Sequence, residues 1–222
     1  MRKDGIAKAL GVNKDVVEVR VVQADGDCFY ASCGAALRKD PKCVGPRCTE
    51  TASCSGGLVA SVQELRGIVA DEVMEENLDI MRVADSAGVE GYEHVRGLDL
   101  EGLKASLRRV AADEQGCVWA DDFAVNAIAK RLDVVLLIVN EGARSGGSVL
   151  AIVPNSPRDD YQDLSCILLQ RTRRVHYNLI ELRRRTATPV TDLPSLVARS
   201  VAAAAIGDEE GQSAAGCKRK RR

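Results

Sequence analysis

The chain has only two histidines, His94 and His176, among its 222 residues. Any proton transfer that depends on an imidazole must therefore use one of these two positions. No apolar stretch approaches the roughly 20 residues that a membrane-spanning helix needs. No apolar core of a signal peptide follows the N-terminus either. We therefore expect a protein without a membrane segment or a membrane partner.

Charge is nearly balanced, with a formal net charge of −1. The protein as a whole therefore has no electrostatic field that would attract nucleic acid. A run of five basic residues ends the sequence, over residues 218–222. Such a cluster is either a nuclear or phosphate-binding signal or a solubilising tail, and both interpretations stay open. A neutral body without a basic stripe is not expected to bind nucleic acid, and we expect a monomer.

The eight cysteines would suit a small secreted scaffold, but this chain is neither small nor marked for secretion. Cys43, Cys48 and Cys54 lie in a Gly/Pro/Ser/Thr-rich segment, and their spacing lacks the paired Cys-x-x-Cys of a zinc site. We expect thiols in a surface loop, a reducing cytoplasmic or nuclear compartment, and no metal or other cofactor.

The hydrophobic pattern predicts an α+β fold with helices on a mostly antiparallel meander of strands. The predicted divisions are a lead-in at 1–15, a main domain at 16–185, a short helix within 186–206 and a disordered basic tail at 207–222. Helices are predicted at 28–39, 58–84, 98–110 and 121–131, and strands at 16–22, 134–139, 149–153, 166–170 and 175–182.

The segment Asp25-Gly26-Asp27-Cys28 places a cysteine after a tight turn, at the predicted start of a helix. Gly26 can adopt the backbone angles of a sharp turn, and Asp27 suits the N-cap position. A helix N-terminus lowers the pKa of a thiol and presents unsatisfied N–H groups to an oxyanion. A lone cysteine is more often an inert core residue, so Cys28 needs a second observation.

The second observation is the pair His176 and Asn178, which stand two residues apart in a predicted strand. Side chains at i and i+2 of a strand share a face, which leaves Tyr177 on the opposite face. One strand would then carry a base and the group that orients it. Together with Cys28 they form the thiol version of a nucleophile–base–orienter triad.

Three blocks of the sequence resemble the ovarian tumour (OTU) family of cysteine proteases, over residues 16–182. They are residues 25–32, residues 118–123 with the helix and strand that follow, and residues 176–178. The resemblance implies an OTU-like fold of the papain-like superfamily, with the nucleophile at a helix N-terminus. Ala120 stands where the family usually has glycine, and Phe29-Tyr30 replaces the commoner Leu-Phe.

The resemblance also implies roles for four residues. Cys28 would be the nucleophile, His176 the general base and Asn178 the orienting group. Asp25 would shape the oxyanion hole or support the triad. The implied activity is hydrolysis of isopeptide bonds at the C-terminus of ubiquitin or polyubiquitin, with residues 85–115 holding ubiquitin. Two alternatives stay open: a cysteine protease for a ubiquitin-like modifier or polypeptide, and a ubiquitin-binding module without activity.

Overall fold

A computed structural model of the protein describes residues 3–39, 61–113, 116–140, 148–154, 161–173 and 176–216, with side chains up to residue 205. The helices in these ranges are α1 (Lys3–Leu10), α2 (Cys28–Lys39), α3 (Val62–Glu72), α4 (Glu75–Ser86), α5 (Leu100–Arg108), α6 (Asp122–Leu132) and α7 (Ser195–Gly216). The strands are β1 (Val17–Arg20), β2 (Val135–Asn140), β3 (Ser148–Ile152), β4 (Ser165–Thr172), β5 (His176–Leu182) and β6 (Ala187–Pro189).

The strands form one sheet in the order β1-β5-β4-β2-β3, and β6 also pairs with β4. Only β2 and β4 run parallel, while the other pairs among the described strands are antiparallel. The predicted α+β class with a mostly antiparallel sheet is confirmed. The predicted meander is wrong, because a parallel neighbour requires the chain to cross back from β3, at one edge, to β4.

Both faces of the sheet are covered by apolar side chains, as the branched residues of β2 predict. Leu136 and Ile138 face a core shared with α2, α3 and α6. Val135, Leu137 and Val139 face a second core shared with α1 and α7. This alternation follows from the two-residue period of a strand, and it makes the sheet the central layer between two sets of helices.

The single helix predicted over residues 58–84 is instead two helices with a break at residues 73–74. Ser61 begins α3 with a capping box, in which the Glu64 N–H donates to Ser61 Oγ at 3.2 Å. Val73 then has extended angles, and the Met74 N–H donates to Asn77 Oδ1 at 2.9 Å. Because this side-chain bond satisfies a backbone donor outside a helix, it starts α4 as a new element.

The two ends of the described chain meet in the second core. Ile6 and Leu10 of α1 are fully buried there, and so is Val201 of α7, while Val197 is nearly so. α7 runs to Gly216, past the predicted end near residue 206, and residues 217–222 of the predicted tail lie outside the described residues. The domain boundaries stay a prediction. None of the described helices is long and apolar enough to cross a membrane.

Deleting residues 195–222 is expected to destabilise the protein strongly, whereas deleting residues 207–222 is not. The longer deletion removes Val197 and Val201 from the core, at roughly 1.5–3 kcal/mol for each buried side chain. Urea denaturation of both truncated proteins measures the difference. Equal midpoints for the two proteins would show that the packing of α7 does not contribute to stability.

Candidate active site

The turn before Cys28 needs a glycine for two independent reasons. Gly26 has φ +95°, in the region that residues with a side chain rarely adopt. A Cβ at this position would also lie 2.5 Å from the sulfur of Cys117. The turn is closed by the Asp27 N–H, which donates to Asp25 Oδ1 at 3.0 Å. α2 then begins at Cys28, where the sequence predicts its start.

Cys28 is a buried thiol, with 1% of its surface exposed. Its sulfur accepts a hydrogen bond from the Tyr177 N–H at 3.4 Å. Burial raises the pKa of Cys28, and the N–H groups of Tyr177 and Phe29 lower that pKa by less. The sequence argument predicted a lowered pKa for this thiol. That prediction is wrong for the protein without a substrate, because desolvation outweighs the helix N-terminus.

His176 and Asn178 are joined by a hydrogen bond between His176 Nε2 and Asn178 Oδ1, at 3.1 Å. The Val22 N–H donates to the same oxygen at 3.0 Å, and the Asn178 amide N–H donates to Gln170 Oε1 at 3.4 Å. A backbone N–H can only donate, so Oδ1 must face Val22 and the orientation of the amide is fixed. The Nε2 of His176 is then the donor to Oδ1.

The tautomer that follows leaves Nδ1 as the basic nitrogen of a neutral His176. This atom is buried and has no hydrogen-bond partner among the described residues. Of the two ring nitrogens, Nε2 is therefore the one that orients His176.

Tyr177 connects the two halves of the site. Its N–H bonds the Cys28 sulfur, and its carbonyl accepts from Ser32 Oγ at 3.4 Å. Its ring packs edge-on against Phe29, with 5.2 Å between the ring centres. The start of α2 therefore packs on the backbone of β5 at Tyr177, which places Cys28 beside the strand that carries His176 and Asn178.

Asp25 and His94 have other partners. The carboxylate of Asp25 bonds the Asp27 amide, and none of its described bonds reaches His176. His94 Nδ1 lies 3.0 Å from the carbonyl oxygen of Gly91. Burial raises the pKa of the Asp121 carboxyl, which caps α6, and a positive charge on His94 would oppose that increase. These contacts make Asp25 a residue of the turn and assign His94 to a separate group.

Asp27 does not cap α2 with its side chain, contrary to the sequence prediction. Its Oδ1 accepts from Arg66 Nε at 2.6 Å, and its Oδ2 accepts from the Ala111 N–H at 2.8 Å. Sequence reasoning missed Arg66, although the apolar periodicity of the predicted helix at 58–84 puts this position on its buried face. A charged residue on an apolar face was the signal that could have identified it.

Trp119 lies beside the same turn. Its indole ring would be 3.7 Å from a Cβ at Gly26, and the side chain is 40% exposed. Within the described ranges, no three potential metal ligands come together. Cys43, Cys48 and Cys54 lie outside those ranges, so the prediction for their loop is not addressed by the structure.

Several solved structures are similar to the chain, and those named here are OTU domains. The OTU domain of OTUD1 is 17% identical with a TM-score of 0.47, and the match covers 79% of this chain and 91% of that one. The OTU domain protease of Taggert virus is 20% identical with a TM-score of 0.41, and the match covers 78% of this chain and 85% of the viral one. The OTU deubiquitinase from Wolbachia pipientis wMel, bound to ubiquitin, is 14% identical with a TM-score of 0.47, covering 77% and 99%.

No protein-family model matches the sequence, and no curated protein matches it.

Alkylation of Cys28 by iodoacetamide is expected to accelerate with pH. Burial raises the pKa of this thiol, so the protonated form dominates at neutral pH and only the small thiolate fraction reacts. The rate should rise about tenfold per pH unit through about pH 7–9. Mass spectrometry of the peptide that carries Cys28 measures it. A rate that is already constant from about pH 5 would instead show a preformed thiolate–imidazolium pair.

Replacing Gly26 with alanine is expected to destabilise the protein by roughly 1–3 kcal/mol, because the variant combines an unfavourable φ with a clash at Cys117. Gly67→Ala is the matched control, since no heavy atom lies within 4 Å of its added Cβ. That control should be neutral or stabilising, by up to about 1 kcal/mol. Urea denaturation compares the two variants, and equal effects would contradict the account of the turn.

Proposed function

We propose that the protein is a cysteine-type hydrolase of the OTU kind, which cleaves isopeptide bonds at the C-terminus of ubiquitin. The observation that carries the proposal is the chain of hydrogen bonds through Val22, Asn178 and His176. This chain fixes one tautomer of a half-buried imidazole. The contact between Tyr177 and the Cys28 sulfur supports a role for that imidazole as the base for the thiol.

The first half of the reaction is acylation of Cys28. His176 Nδ1 takes the thiol proton as the sulfur attacks the carbonyl carbon of the ubiquitin C-terminal glycine, and a C–S bond forms. The carbonyl oxygen becomes an oxyanion, for which N–H groups at the start of α2 are the proposed donors. The C–N bond then breaks as His176 returns the proton to the leaving lysine amine.

The second half releases ubiquitin. His176 removes a proton from a water molecule, the oxygen of which attacks the thioester carbon. The C–S bond breaks, and the proton passes to the Cys28 sulfur. Asn178 holds the ring in one tautomer throughout, and in this proposal Asp25 acts by shaping the turn.

The raised pKa of Cys28 defines how the nucleophile is activated. A thiol that is protonated in the free enzyme must lose its proton as it attacks the substrate. In this proposal His176 is therefore a general base, and no thiolate–imidazolium pair forms before the substrate binds. A bound substrate that covers the site would also exclude water and strengthen the interaction between sulfur and imidazole.

Ubiquitin as the substrate is supported by the sequence resemblance, since OTU family members usually act on ubiquitin conjugates. A protein substrate also needs a surface apart from the triad, and residues 85–115 are the proposed one. Val89 in this segment is 48% exposed, and Ile80 and Val83 of the preceding α4 are 67% and 69% exposed. Ile80 and Val83 are three residues apart on α4 and are therefore neighbours on its surface, and exposed apolar neighbours are typical of protein-binding surfaces.

Substitutions of the three proposed catalytic residues test the function with a fluorogenic amide at the C-terminus of ubiquitin. Cys28→Ala is expected to reduce turnover to the background, because no nucleophile remains. His176→Ala should lose at least about 100-fold, the usual contribution of a general acid–base residue. Asn178→Ala should lose less, since this residue orients the base and transfers no proton.

His94→Ala is the control for the other histidine of the chain. Because residue 94 lies within the proposed ubiquitin-binding segment 85–115, the variants are compared at saturating substrate, where His94→Ala should leave kcat unchanged. Wild-type turnover by a folded Cys28→Ala protein would contradict the proposed nucleophile. Activity that survives His176→Ala but not His94→Ala would contradict the proposed base. A wild-type protein that binds ubiquitin without cleaving the amide would favour the alternative of a binding module.

A further inference from the structure

Arg66 is a fully buried guanidinium that makes five described contacts around the Cys28 turn. Nε donates to Asp27 Oδ1 at 2.6 Å, and Nη2 donates to the Gly26 carbonyl at 3.0 Å. Nη1 donates to the carbonyls of Leu107 at 3.2 Å and Val118 at 3.1 Å. The guanidinium carbon also lies 4.4 Å from the centre of the Tyr30 ring, a distance typical of a cation–π contact.

The peptide group between Gly26 and Asp27 is held at both ends. Its carbonyl accepts from Arg66, and its N–H donates to the Asp25 carboxylate. In a trans peptide these two groups point in opposite directions, so the two bonds together prevent the plane from rotating. The next carbonyl, that of Asp27, accepts from the Ala31 N–H at 2.8 Å, which fixes the first turn of α2.

The same guanidinium ties the turn to two other segments. Leu107 lies near the end of α5, and Val118 precedes Trp119, whose indole ring lies against Gly26. Asp27 adds a further link through the Ala111 N–H. One side chain of α3 therefore connects the Cys28 turn, the end of α5 and the Trp119 segment.

We propose that Arg66 is a positioning residue for acyl transfer, which holds the Gly26–Asp27 peptide so that the N–H groups at the start of α2 face the developing oxyanion. The inference rests on the proposed function for its acyl chemistry, and it adds a residue that acts through the backbone of the turn. Lysine is not equivalent here, because a single ammonium cannot span the carboxylate and three carbonyls that the planar guanidinium reaches.

Two reactions of the same sulfur separate positioning from other roles. Acetylation by p-nitrophenyl acetate forms a C–S bond through an oxyanion and expels p-nitrophenolate. Alkylation by iodoacetamide forms a C–S bond and expels iodide without an oxyanion. A residue that aligns oxyanion donors affects only the first reaction, whereas a residue that tunes the thiol affects both.

The experiment compares both rates for wild type, Arg66→Lys and Asp27→Asn, with modification of Cys28 followed by mass spectrometry. Asp27→Asn keeps Arg66 but removes the carboxylate charge that orients its guanidinium. This variant therefore tests the inference even if Arg66→Lys does not fold. Arg185→Lys is the matched control, because Arg185 pairs with Asp192 at 3.1 Å on the exposed surface.

We expect Arg66→Lys to slow acetylation by about 10- to 100-fold and alkylation by less than about threefold, with a smaller change of the same pattern in Asp27→Asn. Arg185→Lys should change neither rate. The inference would be overturned if both rates changed equally. It would also be overturned if the ratio of the acetylation rate to the alkylation rate stayed at the wild-type value in folded Arg66→Lys or Asp27→Asn. Neither reagent contains ubiquitin, so a wild-type protein that fails to cleave ubiquitin would contradict the proposed function without affecting this result.

Discussion

The hydrogen bond from the Tyr177 N–H to the Cys28 sulfur joins two elements that lie 149 residues apart in the chain. The start of α2 supplies the thiol, and β5 supplies His176 and Asn178. The alternation of β5 puts both polar side chains on one face and directs the Tyr177 ring into the core against Phe29. The packing of this ring therefore sets the depth of α2 against the strand, and with it the position of the sulfur.

The local elements around the site could be predicted from the sequence because short-range signals define them. The bounds of α2 follow from the turn at Asp25–Asp27 and the apolar face after it. The helix predicted at 121–131 is α6, which Asp121 caps by accepting from the Ala124 N–H at 2.9 Å. The i and i+2 spacing of His176 and Asn178 needs only the period of a strand. Each of these predictions rests on residues that lie close together in the sequence.

The predictions that failed depend on long-range contacts. The parallel pairing of β2 with β4 is set by packing on both faces of the sheet, and no local pattern distinguishes it from a meander. The raised pKa of Cys28 arises from burial beneath residues distant in the sequence. The carboxylate of Asp27 pairs with Arg66 of another helix instead of capping α2, because the guanidinium is a charged partner. A buried ion pair of this kind gives a weak net gain in stability, so its place beside the nucleophile fits a role in positioning.

Covalent capture by a ubiquitin derivative with a C-terminal electrophile tests the central claim most directly. The reaction requires recognition of ubiquitin, a reactive sulfur and its base in one molecule. The account predicts a single adduct on Cys28, lost in Cys28→Ala, strongly slowed in His176→Ala and retained in His94→Ala. Absence of any adduct on folded wild-type protein, or an adduct on another cysteine, would contradict it.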